Sequence, residues 1–305
     1  MTITNSSEYA ADKLLQPDAS VLPFTNENFY ELSWRARNYI FDQLIQQDDN
    51  LDNILDAFSE FEIKHHFAFS QARGVDSLTG QESRYWRNQV KITKRNIQDP
   101  AAELKKQIKM ENDRTELIIE NLKQNSQAVV ELGCGYGNNL FRIRRQLGDR
   151  KIRLVGAEYT VSGRNLCAKL NHLNENSDMQ IEFVDHKALN LDFLSGLDDV
   201  LIFTCHSIEQ VKFLPEDYFR IIAQSASRVT CIHFEPFGFQ IDKASEVNSR
   251  HQSFVHEQGW NLNFIDTLRN AEQNGILSIR LLSKDLYNPA EENPTSVAIW
   301  SSMGV

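Results

Sequence analysis

Short apolar runs alternate with segments of helical periodicity along the C-terminal part of the chain. Runs rich in Val, Ile, Leu and Phe end at turn residues or polar clusters, which is the pattern of buried strands. They predict strands at about 128–132, 151–157, 181–184, 199–203, 228–234, 276–282 and 296–301. Strands separated by helices predict a parallel sheet. The last two runs are joined by a polar loop, so they predict an antiparallel hairpin at one edge.

The N-terminal part shows helical periodicity instead. Apolar residues recur every three or four positions at about 28–44, 51–61 and 100–123. This is more helix than a single cap helix needs. The sequence therefore predicts an N-terminal α-helical domain or lid over residues 1–125 and an α/β domain over residues 126–305.

A glycine turn follows the first predicted strand of the α/β domain. Gly133, Gly135 and Gly137 alternate with other residues, and glycine lets the backbone bend sharply while a ligand lies directly against it. A strand, a glycine turn and a helix at the carboxyl edge of an open sheet form the nucleotide site of doubly wound folds. The spacing differs from the G-x-G-x-x-G of dinucleotide sites, so NAD is not expected.

The segment Glu131-Leu132-Gly133-Cys134-Gly135-Tyr136-Gly137 resembles motif I of the class I S-adenosylmethionine-dependent methyltransferases. The predicted final hairpin is a second point of resemblance, because the last strand of that family inserts antiparallel into a seven-stranded sheet. The resemblance covers about residues 126–303. It implies a mostly parallel, doubly wound, Rossmann-like α/β sheet, and S-adenosylmethionine as the cofactor.

The resemblance also implies which residues hold the donor. Glu158 ends the second strand, where a carboxylate accepts hydrogen bonds from both ribose hydroxyls. Glu131 would help to hold the methionine end, although a salt bridge or a helix cap is the alternative. Tyr159 would cover one face of the adenine. Further contacts are expected from the glycine turn and the end of the fourth strand: Gly133, Cys134, Gly135, Gly137, Asn138, Thr204 and Cys205.

The adenine amine is expected to meet the end of the third strand. Asp185 resembles the acidic residue that bonds this amine, and His186 would donate or stack beside it. Asp185 could equally be a turn residue.

Four titratable residues follow the fourth and fifth strands: His206, Glu209, His233 and Glu235. A histidine there can take a proton from an alcohol, a phenol or an amine while the methyl group transfers. His206 is the first candidate base, with Glu209 to orient it, and His233 is the second. A structural role is the alternative for each histidine. The four residues could also bind a divalent metal, but no motif such as H-E-x-x-H is present, and no metal is predicted.

The amino-acid composition limits the kinds of molecule that the protein is expected to bind. The net charge of −10 argues against a nucleic-acid surface over the whole protein. The basic and aromatic stretch Arg84–Arg95 could still clamp an anionic substrate, close over the donor carboxylate, stack on RNA, or be a solvated face. The four cysteines include no C-x-x-C pair, so a zinc knuckle is not expected.

Nothing in the hydropathy suggests a membrane protein. No apolar run reaches membrane-spanning length, and the polar N-terminus lacks a signal-peptide core. A cytoplasmic protein is expected.

The sequence favours an enzyme that methylates a small molecule at oxygen, such as a secondary metabolite or a sugar-like compound. The fourth strand ends in Thr204-Cys205-His206-Ser207 rather than an Asn/Asp-Pro-Pro-Tyr type motif, which disfavours amide nitrogens of nucleobases or glutamine. The alternatives are a non-catalytic, methyltransferase-like binding partner, or a protein or RNA methyltransferase. The acceptor and the oligomeric state do not follow from the sequence.

Overall fold

The computed structural model describes residues 13–15, 21–75, 79–173, 179–242, 252–253, 255–257, 259–287 and 293–303. Tertiary contacts divide the chain into two compact units. The N-terminal unit comprises Met1–Glu111 and Thr160–Ser177, and the C-terminal unit comprises Asn112–Tyr159 and Asp178–Val305. The predicted boundary at 125/126 falls inside the C-terminal unit.

The helices are α1 (Asn26–Ile45), α2 (Leu51–Lys64), α3 (Pro100–Glu120), α4 (Asn138–Leu147), α5 (Val161–His172), α6 (Tyr218–Ala223), α7 (Gly238–Ile241) and α8 (Phe264–Gln273). The strands of the N-terminal unit are β1 (Lys13–Leu15), β2 (Val21–Pro23), β3 (His65–Val75) and β4 (Glu82–Lys94). Those of the C-terminal unit are β5 (Ala128–Leu132), β6 (Arg153–Glu158), β7 (Gln180–Phe183), β8 (Asp199–Cys205), β9 (Arg228–Glu235), β10 (Leu277–Tyr287) and β11 (Thr295–Ser302). No helix among the described residues is both long and apolar enough to cross a membrane.

The N-terminal unit combines helices with an antiparallel sheet. Its helices α1 and α2, and the part of α3 up to Glu111, lie where helical periodicity predicts them. Side chains of Thr25 and Asn50 cap α1 and α2. The rings of Phe41 and Phe58 stack 4.1 Å apart in the core between α1 and α2. Helix α5 also belongs to this unit, since the Glu31 carboxylate on α1 accepts hydrogen bonds from the Ser162 N–H and hydroxyl.

The sheet of the N-terminal unit was not expected from the sequence. β4 is its central strand and pairs antiparallel with β1, β2 and β3. The basic and aromatic stretch Arg84–Arg95 therefore lies mostly on a strand, not on a helix face. The pairing of β3 with β4 shifts register between Phe69 and Gln71. Such a bulge breaks the period-2 alternation that would reveal a strand.

The seven-stranded sheet of the C-terminal unit has the order β10-β11-β9-β8-β5-β6-β7. Strands β5 to β9 pair in parallel, and β11 pairs antiparallel with both β9 and β10. This confirms the predicted sheet, with its antiparallel C-terminal strand and its hairpin at the edge. A seven-stranded sheet with an antiparallel last strand is the arrangement that the resemblance implies.

The register of this sheet determines which residues meet at its carboxyl edge. Leu132 at the end of β5 lies beside Ala157 on β6 and Thr204 on β8, and Thr204 lies beside His233 on β9. The residues that follow these positions therefore come together at one edge, as the sequence predicts.

The opposite end of the sheet is held by the buried carboxylate of Asp199. It accepts hydrogen bonds from the Ser126 hydroxyl (2.7 Å), Lys123 Nζ (3.2 Å) and Arg228 Nε (3.1 Å). Burial alone would raise the pKa of Asp199, but these hydrogen bonds lower it, so the carboxylate stays ionised. These contacts connect β8 to β9 and to the segment that leads into β5.

Candidate active site

The glycine turn after β5 depends on residues without a side chain. Gly133, Gly135 and Gly137 have φ angles of 83°, 54° and 88°, in the left-handed region. A Cβ on Gly133 would lie only 2.2 Å from the Ser207 Cβ, so any larger residue would displace the segment after β8. The turn is also tied to β6, because the Gly133 N–H donates to the Ala157 carbonyl at 2.7 Å.

Glu158 faces this turn from the end of β6. Its side chain is buried, and its Oε2 atom accepts a hydrogen bond from the Gly135 N–H at 3.0 Å. The structure thus brings the predicted ribose acid to the glycine turn. The neighbouring Cys134 packs with its sulfur toward Gly156, where a Cβ would lie 2.9 Å from Sγ. Cys134 therefore offers the site its backbone.

Glu131, on β5, is a buried carboxyl group with one open oxygen. Its Oε1 atom accepts a hydrogen bond from Asn139 Nδ2 at 2.6 Å, and Asn138 beside it opens α4. Its Oε2 atom is buried and has no hydrogen-bond partner among the described residues. Burial raises the pKa of Glu131 to about 8.

Arg114 on α3 lies near this carboxyl group and was not predicted as a site residue. Its Nη1 atom donates to the Cys205 sulfur at 2.8 Å, and its charge acts on Glu131. Its Nε atom is buried and, among the described residues, has no hydrogen-bond partner. A buried donor and a buried acceptor, each left open, are thus found near one another at the same end of the sheet. Buried polar groups are rarely left unpaired, so both atoms point to a ligand or a water molecule.

A partly exposed aromatic pair lies at the ends of β6 and β7. The rings of Tyr159 and Phe183 are 5.7 Å apart, and these residues are 41% and 54% exposed. Two exposed rings can take a planar heterocycle against their faces. Tyr159 was predicted for this role, whereas Phe183 was not.

The two residues after β7 are arranged differently. Asp185 accepts a hydrogen bond from the Lys187 N–H at 2.8 Å, which is a local turn contact. His186 is buried, with Nδ1 at 2.8 Å from the Tyr218 hydroxyl and Nε2 at 3.2 Å from the Ser207 hydroxyl. Burial lowers the pKa of His186 to about 4, so the ring is neutral at pH 7. The turn interpretation of Asp185 is the one its contacts favour, and adenine binding by both residues stays a prediction.

His206 is the centre of a polar cluster after β8. Its Nδ1 atom lies 3.2 Å from Glu209 Oε2, and its Nε2 atom lies 2.6 Å from the Thr295 hydroxyl. Asn293 Nδ2 donates to the same Glu209 oxygen at 3.1 Å. Burial alone would lower the pKa of His206, but the charge and the hydrogen bond of Glu209, with the charge of Glu235, raise it. The side chain remains 29% exposed, so a substrate can reach it.

The backbone of His206 is strained. Its φ angle of 52° lies in the left-handed region, which costs of order 1 kcal/mol or more for a residue with a Cβ. Such strain persists only where surrounding contacts hold it, and it is concentrated at functional sites.

His233, the second predicted base, is fully buried among aromatic rings. Trp300 Nε1 donates to its Nε2 atom at 2.9 Å, so the proton is on Nδ1, 3.0 Å from the Thr204 hydroxyl. Burial lowers the pKa of His233 to about 3. These contacts favour a structural role for His233 over the predicted role as a base.

Thr204 and Cys205 end β8, as predicted for the floor of the site. Burial raises the pKa of the Cys205 thiol to about 12, so it is not a thiolate nucleophile. Within the described part of the chain, no three His, Cys, Asp or Glu side chains form a group that could hold a metal ion.

Comparisons with solved structures find similar chains at low identity. The geranyl diphosphate C-methyltransferase of Streptomyces coelicolor A3(2), in complex with Mg²⁺, geranyl diphosphate and S-adenosylhomocysteine, is 14% identical; the match covers 64% of this chain and 79% of that one, with a TM-score of 0.44. The methyltransferase domain of bacterial CtHen1-C is 16% identical, over 64% of this chain and 97% of that one, with a TM-score of 0.41. The plantazolicin methyltransferase BpumL, in complex with a substrate analogue and S-adenosylhomocysteine, is 12% identical, over 64% and 84% of the two chains, with a TM-score of 0.40.

No protein-family model and no curated protein sequence matches the chain. The likeness to class I methyltransferases therefore rests on the seven-stranded sheet and the glycine turn of this chain itself.

Proposed function

We propose that this chain is an S-adenosylmethionine-dependent methyltransferase that acts on an oxygen atom of a small-molecule acceptor. The observation that carries the proposal is the pair of buried atoms, Arg114 Nε and Glu131 Oε2, that lack a hydrogen-bond partner among the described residues. The amino-acid end of the donor carries a carboxylate and an ammonium group. A guanidinium and a carboxyl group are the matching partners for these two charges.

The other residues of the site complement the remainder of the donor. Glu158 accepts the ribose hydroxyls while it keeps the Gly135 N–H on one oxygen. Tyr159 and Phe183 offer their exposed rings to the adenine. When bound, the donor supplies an electrophilic methyl group on a positively charged sulfur. The other residues predicted from the sequence, which include Asp185 and His186, carry less weight in the proposal than these contacts.

His206 supports oxygen as the acceptor atom. Its Nε2 atom lies 2.6 Å from the Thr295 hydroxyl, which is the type of group that an acceptor alcohol would present to it. A neutral imidazole in this position takes the proton of that alcohol as the methyl group transfers. Alignment of donor and acceptor supplies about 7–11 kcal/mol, whereas one general base adds about 10²–10⁴-fold. Alignment of donor and acceptor is therefore the larger contribution to catalysis, and the general base is an additional one.

Calorimetry with two ligands tests the donor site. S-adenosylhomocysteine should bind, and NAD should not. Arg114→Gln should weaken S-adenosylhomocysteine by about 10- to 150-fold, the effect of losing one hydrogen bond to a charged group. Methylthioadenosine lacks the amino-acid end, so its affinity should not change. Arg220→Gln, on the exposed face of α6, is the matched control.

An equal loss of affinity for both ligands would remove Arg114 from the proposed role. NAD binding comparable to that of S-adenosylhomocysteine would sink the assignment of the donor. Transfer itself is tested with methyl-labelled donor and small-molecule extract. Donor binding without any labelled product would favour the non-catalytic alternative.

A further inference from the structure

Strand β9 holds the segment after β8 through the Phe234 carbonyl, which accepts the His206 N–H at 3.0 Å, and through the carboxylate of Glu235. Glu235 is the last residue of β9, and its side chain is fully buried. Its Oε1 atom accepts the N–H groups of Ser207 (3.1 Å) and Ile208 (3.2 Å), and its Oε2 atom accepts the N–H of Glu209 (3.4 Å). Three consecutive backbone donors on one carboxylate form a strong, charge-assisted arrangement. They hold the 3₁₀ turn Ile208–Gln210 at its start.

A chain of hydrogen bonds also leads from the core to Thr204, at the end of β8. Trp300 can only donate, so it leaves the His233 proton on Nδ1, and this proton is directed to the Thr204 oxygen. Each member of the chain thereby sets the donor direction of the next. The buried His233 therefore connects Trp300 to Thr204 and does not contact the acceptor itself.

A small cavity with aromatic lining adjoins Glu235. This cavity of about 10 Å³, room for about one water molecule, lies between Glu235 and the side chains of Phe237, Trp260 and Phe264. Burial and the charge of Glu209 raise the pKa of Glu235 to about 7, while the charge of His206 and the hydrogen bond from the Ser207 N–H oppose this shift.

We propose that Glu235 is a positioning residue, which fixes the strained His206–Glu209 segment through three backbone hydrogen bonds and so holds His206 against Glu209 and Thr295. The inference rests on the proposed function, in which His206 is the base. The charged groups that act on His206 are Glu209 and Glu235, which favour the imidazolium, and Arg114, which opposes it.

Two variants of the full chain separate the effect of the side-chain length of Glu235 from the effect of its charge. Glu235→Gln keeps the length of the side chain, but it loses the charge and places an amide N–H₂ against backbone donors. Glu235→Asp keeps the charge and shortens the side chain by one methylene, so it cannot reach all three N–H groups. Glu216→Gln, at an exposed position, is the control for Glu235→Gln.

The readouts are the titration of His206, followed by NMR with ¹⁵N-labelled histidine, and hydrogen exchange at the Ser207 and Ile208 amides. The His206 signal is assigned by its loss in His206→Asn. In both Glu235 variants we expect the pKa of His206 to fall to or below about 6.5, the value of a free histidine, and exchange at both amides to accelerate at least about tenfold. The control should change neither quantity.

An unchanged His206 titration and unchanged exchange in Glu235→Gln would overturn the inference. The inference would also be overturned if the His206 titration and the amide exchange changed in Glu235→Gln but not in Glu235→Asp. In that case a negative charge would be enough, and the length of the side chain would not matter. If Glu235→Gln does not fold, Glu235→Asp provides the same two readouts, and an unchanged titration with unchanged exchange in that variant overturns the inference. S-adenosylhomocysteine binding by the wild type is measured alongside: its absence would sink the proposed function, whereas the His206 data bear on Glu235 alone.

Discussion

Two halves of the same sheet edge differ in how completely their polar groups are paired. At the β5–β6 side, Glu131 and Arg114 each keep a buried atom without a hydrogen-bond partner among the described residues. At the β8–β9 side, the rings of His206 and His233 and the carboxylate of Glu235 have their partners within the protein. The guanidinium and the carboxyl group of the first side keep open atoms, whereas the two imidazole rings and the carboxylate of the second side are paired. On that second side, Asn293 Oδ1 and Thr230 Oγ1 are buried without a hydrogen-bond partner among the described residues.

This difference separates the residues that would bind the donor from the residues that hold His206 in position. An unpaired buried group costs about 1–3 kcal/mol, and a ligand that pairs it recovers that free energy, so open atoms indicate where a ligand binds. Groups that are already paired recover no such free energy from a ligand, but they keep a strained backbone in one conformation. We therefore expect changes at Glu131, Glu158 and Arg114 to alter donor affinity, and changes around His206 to alter turnover.

The largest expected effect is on turnover. His206→Ala should lower turnover by about 10²–10⁴-fold while S-adenosylhomocysteine affinity stays nearly the same. Because the pKa of His206 is raised, wild-type turnover should fall as the pH drops through a value above 6.5, and this fall should be absent in the variant. The measurement is the rate of labelled methyl transfer to an accepting extract fraction at saturating donor. Identical pH profiles would exclude His206 as the base.

A smaller effect is expected on donor affinity when Glu158 is changed. Glu158→Ala removes the proposed ribose acceptor and the hydrogen bond to the Gly135 N–H. We expect S-adenosylhomocysteine to bind about 10- to 150-fold more weakly by calorimetry, which corresponds to about 1.5–3 kcal/mol. Glu216→Ala, at an exposed position, should bind like the wild type. An unchanged affinity in Glu158→Ala would mean that Glu158 does not contact the donor.

A residue of this sheet edge can be predicted from the sequence when it lies close in sequence to the strand whose end it follows. Glu131, the three alternating glycines and Glu158 follow from strand ends and turn spacing, since each motif lies within a few residues of its own strand. The seven-stranded sheet follows equally well, because apolar runs and helical spacing alternate clearly.

Residues supplied by distant segments are not visible in this way. Arg114 reaches Cys205 across 91 positions, and Thr295 reaches His206 across 89. The second contact exists only because β11 inserts beside β9. In the N-terminal unit, the bulge between Phe69 and Gln71 hides the strand period, so helices α1 and α2 are predictable and the sheet is not.

Proton release on binding gives a third, smaller effect. Burial raises the pKa of Glu131 to about 8, so its carboxyl group is mostly protonated at pH 7 in the free protein. Pairing with the donor ammonium would favour the ionised form, and binding should then release up to one proton. Because the complex lacks a proton that the free protein holds, affinity should rise with pH below about 8.

Calorimetry of S-adenosylhomocysteine at pH 7, in buffers of different ionisation enthalpy, measures this proton directly. Glu131→Gln has the same shape and cannot ionise, so its binding heat should not depend on the buffer. Equal heats in all buffers for the wild type would contradict a pairing of Glu131 with the ammonium group.

The smallest effect on turnover, and a clear one on stability, is expected at His233. His233→Asn keeps a donor for Thr204 but leaves the buried Trp300 N–H unpaired, at a cost of about 1–3 kcal/mol in the free energy of unfolding. The folded protein keeps His233 neutral down to a pKa of about 3, whereas the unfolded chain binds a proton near 6.5. Wild-type stability should therefore fall as the pH drops below 6.5, by up to about 1.4 kcal/mol per pH unit for this group. Urea denaturation at pH 7.5 and pH 5 should show a smaller difference for the variant. A wild-type slope in His233→Asn, or a large loss of turnover, would place His233 among the catalytic groups after all.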